Sequence, residues 1–323
     1  MGGPLEFLLS ELRERGAIPF DRFVYLSLYH PEFGYYTRKR LLNSPGEDFF
    51  TAPELSPLFG KVFASFIERK LKELSLPPVI VEVGGGKGFL AKDLIESLNP
   101  REYYFVERRE PPSWLGGRVK WLRSLEELPN SLEGVVVSNE LFDAFPFKRI
   151  LKRGGELYEV FVVEREGRLA EELRPFRGEL PCEPEEGGEY PLFIGWEEFL
   201  KALAGKLRRG LFITFDYGGS CREVASKRSF RAYREGRLVD DYLDRVGETD
   251  LTADVDFTRL RSLLAGAGFE DVLYKPQSSF LLESGIERFA NPSQLPQILT
   301  LLVDMGRRFK VLVGVKDWIE FII

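Results

Sequence analysis

The residues best suited to chemistry lie at 135–146, VVVSNELFDAFP. Three valines read as a buried strand, and Asn139, Glu140 and Asp143 follow at once, with Phe142, Phe145 and Phe147 around them. In an open parallel sheet, ligands bind beyond the carboxyl ends of the strands, so a polar strand tip reads as the floor of a pocket. Carboxylates among aromatic rings suit a planar cation, and a guanidinium pairs with a carboxylate through two parallel hydrogen bonds. Glu140 is the expected substrate carboxylate, Asp143 its helper, and Asn139 stands beside them. The competing reading has Glu140 or Asp143 capping a following turn.

A second constellation is VEVGGGKGFLAKDL at 81–94, glycines directly after an apolar strand and before a helix. Such a turn lets backbone approach a ligand closely, and the helix N-terminus adds donors. The dinucleotide pattern G-x-G-x-x-G fails at Phe89, and the phosphate-loop pattern fails because Gly88 follows Lys87. The spacing that fits is E-x-G-x-G-x-G through Glu82, Gly84, Gly86 and Gly88, which resembles the first motif of class I methyltransferases that bind S-adenosylmethionine. Glu107 ends the next strand, where an acid can accept both ribose hydroxyls of such a cofactor. A tight structural turn with a surface glutamate is the bland alternative. Enzymes that methylate base amines carry an acid or Asn followed by Pro-Pro-aromatic at the strand tip; here Leu141 and Phe142 follow Glu140, which does not support a base clamp.

The elements that must position these residues are legible around them. The spacing predicts helices at 5–15, 19–29 and 57–74, then strands at 79–83, 103–107, 119–122 and 134–138 with a helix at 89–98. Residues 156–173 alternate as a hairpin. A helix at 195–210 ending on Gly210 precedes a strand at 211–216, and a helix at 256–268, a strand at 269–277, helical stretches at 279–290 and 294–308 and a late strand at 309–315 complete the chain. Strands alternating with helices give an α/β fold with a mostly parallel sheet covered on both faces. Residues 1–75 read as an N-terminal helical and lid region, and 76–323 as the core, with insertions at about 150–195 and 220–255.

Bulk properties exclude other classes. The chain has 323 residues, 44% hydrophobic and 30% charged, with a formal net charge of -6. That composition is globular and offers no general attraction to nucleic acid or an anionic membrane. No apolar run reaches membrane-spanning length. One histidine and two distant cysteines, Cys182 and Cys221, make a zinc site or a cysteine–histidine pair improbable, and this usage fits a reducing compartment. The start lacks a secretory pattern, so a cytoplasmic location is expected. Few Met, Cys, Gln and His beside many Glu, Lys and Arg suggest a thermophilic source.

LYHPEFGYYTRKR (28–40), GEDFFTAPELSPLFG (46–60), the glycine turn, NELFDAFP (139–146), DYG (216–218), GETDLTADVDF (247–257), SFLLESGI (279–286) and MGRRFKVL (305–312) come in the order found in the MidA-like methyltransferases. The chain resembles that family, which includes the mitochondrial complex I assembly methyltransferase. The resemblance implies a class I (Rossmann-like) methyltransferase fold with added N-terminal helices, S-adenosyl-L-methionine as cofactor, and methyl transfer to a protein arginine, with a complex I subunit as one acceptor. Alternatives are methylation of a small amine or carboxylate metabolite, or a non-catalytic assembly factor that keeps the cofactor pocket. The matched blocks add Asp48, Thr51, Pro53 and Glu54 as a loop over the cofactor, with Thr51 or Ser56 capping the helix from Pro57 as the other reading. Asp216 either faces substrate or holds the turn after it. Tyr36 either stacks on a cation or packs. Asp250, Asp254 and Asp256 read first as caps of the helix near Phe257, and His30 as structural.

Overall fold

The apolar strand Val79–Val83 pairs in parallel with Glu102–Val106 on one side and Leu132–Asn139 on the other. Lys120–Leu122 extends the sheet beyond Glu102–Val106, and Leu207–Gly219 lies parallel to Leu132–Asn139. Phe309–Lys316 runs antiparallel between Leu207–Gly219 and Glu270–Pro276. The spatial order is therefore Glu270–Pro276, Phe309–Lys316, Leu207–Gly219, Leu132–Asn139, Val79–Val83, Glu102–Val106, Lys120–Leu122. This is a computed structural model, and it describes residues 3–37 and 51–316.

The chain divides into two compact units. One consists of Met1–Phe49, Phe142–Trp196 and Gly218–Arg259; the other of Phe50–Leu141, Glu197–Tyr217 and Leu260–Ile323. This division differs from the expected boundary at 75. The helix Pro57–Glu73 belongs with the parallel sheet, and both expected insertions belong with the N-terminal helices.

In the parallel-sheet unit, successive strand residues point to opposite faces, and both faces are buried. Ile80, Val135, Val137, Ile213, Phe215 and Val311 form one core with Phe59, Phe63 and Ile67 of the helix Pro57–Glu73 and Leu90 and Leu94 of the helix Phe89–Leu98. Val81, Val136 and Phe212, the alternate positions, are buried as well. Ser56 starts the longer helix: its Oγ accepts from the Leu58 N–H at 3.2 Å, and Pro57 occupies the first turn, where a missing N–H costs nothing. Gly210 does not end a helix. The helix Trp196–Lys206 stops earlier, and Gly210 lies in the strand opposite Gly134, where a side chain would meet the Gly134 carbonyl.

The other unit is antiparallel. Glu156–Arg165 and Arg168–Pro175 form the expected hairpin, joined by Phe147–Arg153, Glu189–Phe193 and Ile18–Pro19. Helices Pro4–Arg15 and Phe20–Tyr29 belong to this unit. Residues 220–255, expected as an insertion, contain the helix Cys221–Ala225 and a small sheet of Arg231–Arg234, Arg237–Leu238 and Asp250–Thr252. Phe142 and Phe147, expected near a cation, are fully buried. Phe142 packs on Trp196, and Phe147 packs among Phe20, Phe193 and Phe230.

Cys182 and Cys221 form a disulfide, with Cα atoms 5.9 Å apart, against the expectation of a reducing compartment drawn from their usage. A separation of 39 residues says nothing about distance until the chain returns on itself; here Tyr190, Val224 and Ala225 pack around the bridge. Closing a loop of that length restricts the unfolded chain and stabilises by about 2–4 kcal/mol. Replacing both cysteines by serine should remove that amount in non-reducing chemical denaturation. Dithiothreitol should then destabilise only the parent chain; equal curves for both would assign the bridge no role.

Candidate active site

The glycine turn follows Val79–Val83. Gly84, Gly86 and Gly88 all have left-handed backbone, with φ of 72°, 51° and 75°. Only glycine takes such a run without strain. A side chain on Gly88 would strike Leu115, whereas a Cβ on Gly86 would meet nothing within 4 Å. Backbone on one side and open space on the other form a cradle that a ligand can fill.

Glu107 lies where the turn needs an acceptor. Its Oε2 accepts from the Gly86 N–H at 3.1 Å, and its Oε1 from the Arg109 N–H at 3.3 Å. Two residues 21 apart in sequence thus meet beyond the ends of adjacent strands. Their carboxylate and turn suit an adenosyl cofactor, whose ribose hydroxyls need an acceptor beside a close-packed backbone.

Glu82 sits one layer deeper. It is 3% exposed, and Tyr103 donates its hydroxyl to it at 2.6 Å. Burial, opposed by the Tyr103 hydrogen bond and aided by the Glu107 charge, pushes its carboxyl up to about 8. Glu82, expected as a ligand contact, has its Oε2 engaged by the buried Tyr103. Because its folded value exceeds the unfolded one, the folded state keeps a proton that the unfolded state gives up. Stability should be fully present below the ordinary carboxyl value and fall as pH rises towards 8, with a slope on the order of 1 kcal/mol per pH unit. Urea denaturation of the parent chain and of Glu82→Gln between pH 5 and 9 checks this. Parallel stability profiles would refute it.

Of the loop at 48–54, Asp48 lies outside the described residues. Thr51 precedes a short helix, Ala52–Leu55, in which Pro53 is buried. Glu54 accepts from the Thr51 N–H at 3.2 Å and pairs with Lys87 at 2.5 Å, which ties this segment to the glycine turn.

Asn139 and Glu140 stand at the tip of Leu132–Asn139. Glu140 has φ of 53°, a left-handed backbone that non-glycine residues adopt at a cost and that recurs at functional sites. Its N–H donates to the Phe215 carbonyl at 2.8 Å, and Asn139 Nδ2 donates to its Oε1 at 3.0 Å. Asn139 Oδ1 is buried and has no hydrogen-bond partner among the described residues. The corner therefore presents one oriented carboxylate and one amide oxygen, both acceptors. Asp216 is fully buried, and its Oδ1 accepts from the Tyr217 N–H at 2.9 Å. The strand runs on through Gly219, so there is no turn at 217–219 for Asp216 to hold.

The remaining two candidates belong to the antiparallel unit. Tyr36 donates to Asp250 at 2.8 Å, and Thr252 donates to Asp143 at 3.1 Å. Burial first, then the Asp250 and Asp143 carboxylates, hold the Tyr36 hydroxyl well above the usual tyrosine range. Asp250 is thus not a helix cap. Asp256 is the cap, accepting from Thr258 and Arg259, while Asp254 pairs with Arg231 and Lys227. Sequence reasoning read Asp250 as a cap and passed over Thr252, because partners more than 100 residues away leave no local signal. It also passed over Arg109, two residues beyond Glu107. Among the described residues no cluster of His, Cys, Asp and Glu could hold a metal, and no helix is long and apolar enough to cross a membrane.

The strand order, the left-handed glycine turn and the acid on the neighbouring strand define a class I, Rossmann-like, S-adenosylmethionine-dependent methyltransferase. The chain belongs to the Methyltransf_28 family of S-adenosyl-L-methionine-dependent methyltransferases, whose sequence profile matches residues 60–273. A Burkholderia thailandensis protein solved with S-adenosyl-homocysteine bound superposes with a TM-score of 0.86 at 28% identity, covering 97% of this chain and 92% of that one. The mitochondrial protein arginine methyltransferase NDUFAF7 homologue of Drosophila melanogaster is 24% identical over 94% of this chain and 83% of its own. The Bos taurus protein arginine methyltransferase NDUFAF7 is 25% identical over 95% and 82%.

Proposed function

We propose that this methyltransferase acts on the guanidinium group of a protein arginine. The observation that carries the reading is the corner at Asn139 and Glu140, where an oriented carboxylate and an amide oxygen offer only acceptors. A guanidinium offers only donors, in a planar fork that matches such a pair. Bound S-adenosylmethionine would supply an electrophilic methyl group. Gly84, Gly86 and Glu107 would hold that cofactor, through backbone on one side and the ribose hydroxyls on the other. Glu140 would fix the guanidinium plane and stabilise positive charge as a nitrogen attacks, then receive the released proton directly or through water.

The names of the Drosophila and bovine relatives support the same acceptor. A respiratory complex I subunit and a cytoplasmic site of action belong to this proposal. The disulfide fits a cytoplasm only in the exceptional thermophilic case, where intracellular disulfides are common.

The test incubates the protein with methyl-labelled cofactor in a lysate and follows the label by mass spectrometry. Methylarginine in a captured protein supports the proposal. Label confined to small molecules would replace it with a metabolite methyltransferase, and tight cofactor binding without transfer would point to a docking factor.

A further inference from the structure

Arg109 carries a desolvation cost that the described residues offset only in part. Its side chain is 17% exposed, and Nε and Nη1 are buried without a hydrogen-bond partner among the described residues. The Glu107 carboxylate is 3.9 Å from Nε, close enough for Coulomb attraction but too far for a hydrogen bond. Glu107 also has its own commitments to the N–H groups of Gly86 and Arg109. A buried guanidinium with orphan donors loses hydration without compensation, so such groups usually have an unseen partner.

The surroundings restrict what that partner is. The segment after Arg109 packs against the glycine turn, for a Cβ on Gly88 would meet Leu115 at 2.7 Å and Pro112 at 3.4 Å. Lys87, within the turn, is held below the usual lysine range by burial and then by the charge of Arg109. Arg109 therefore belongs to the wall of the cofactor cradle, on the side of the acid that suits the ribose.

We propose that Arg109 binds the nucleoside half of the cofactor, donating from Nε and Nη1 to acceptor atoms of the adenosyl group. A donor-only side chain complements the ring nitrogens of a purine, which are acceptors. The amino-acid half has a carboxylate that would attract an arginine too. The shared segment and the proximity to Glu107 place Arg109 with the nucleoside instead.

Calorimetry separates the two halves by using S-adenosylhomocysteine and 5′-methylthioadenosine, which lacks the amino-acid group. Arg109→Met should weaken both by the same factor, about tenfold, the usual worth of a hydrogen bond from a charged donor. Arg109→Gln, which keeps an amide donor, should lose less. Melting of the ligand-free variants gives the readout independent of binding. Arg109→Met should not melt lower, since it removes a buried, unsatisfied charge. Unchanged affinity of Arg109→Met for both ligands would overturn the inference at any melting temperature. Weakening of S-adenosylhomocysteine alone would overturn it too, by assigning Arg109 to the amino-acid half.

Discussion

Glu140→Gln is expected to slow methyl transfer about 100-fold or more, the loss of one preorganised electrostatic contact of about 3 kcal/mol. The substitution keeps shape and one acceptor oxygen. It also keeps the hydrogen bond from the Glu140 N–H to Phe215, so the strand tip and its left-handed backbone should persist. What disappears is the negative charge that orients a guanidinium and accepts its proton. Cofactor affinity should stay nearly constant, because the cradle is built from the glycine turn and Glu107. Asp143→Asn should do less, since Asp143 already receives the Thr252 hydroxyl within the antiparallel unit. Single-turnover assays with a saturating peptide acceptor, run beside calorimetry, give the two numbers. If Glu140→Gln loses melting temperature and cofactor affinity but turns over normally when loaded, Glu140 is structural. The arginine proposal would then lack its main physical support.

Gly86→Val should weaken S-adenosylmethionine binding by a factor on the order of 100 or more, combining an αL strain of about 1–2 kcal/mol with the filling of ligand space. The strain follows from φ of 51°, and the space from the absence of any atom within 4 Å of a Cβ there. Gly86→Ala separates the effects, for it carries most of the strain and little of the volume. Glu107→Ala should cost about 1–3 kcal/mol of cofactor affinity, the worth of two hydroxyl hydrogen bonds. It should also release the Gly86 N–H from its present acceptor. Titration calorimetry decides the matter. Cofactor binding to Gly86→Val as tight as to the parent would mean that the cradle is not where the ligand sits.

The parts legible in sequence were those written in short windows. The short apolar runs VIVEV and VVVS, the helical spacing of FLAKDLIESL, and glycines placed between strand and helix gave the central strands and the turn within a few residues of the observed limits. Position drew attention to Glu107, because the resemblance of the glycine turn to a cofactor-binding motif gives an acid at the end of the next strand a chemical reason to be there. Local reading failed where neighbours decide. Gly210 looks like a helix stop, but close pairing with Gly134 requires the missing side chain. The tyrosine-glycine run at 217–219 looks like a turn, but Gly218 and Gly219 pair with Val255 and Asp256.

By itself, then, the sequence determined the sheet class, the glycine turn, its acid and the polar strand tip. The turn and the strand tip are patterns of apolar spacing or backbone permissiveness that act over fewer than about ten residues, the sheet class is the succession of such patterns, and the acid is placed by the end of the next one. Tertiary structure alone decided that Glu107 reaches the Gly86 N–H, that Glu82 is buried against Tyr103, and that Cys182 meets Cys221. It also decided that Asp143 and Tyr36 find Thr252 and Asp250, and that Arg109 is buried with donors to spare. The physical reason is common to all of these. Burial and hydrogen-bond partnership depend on which distant segments the topology brings together, and a carboxylate, thiol or guanidinium has the same local sequence whether water or another side chain surrounds it.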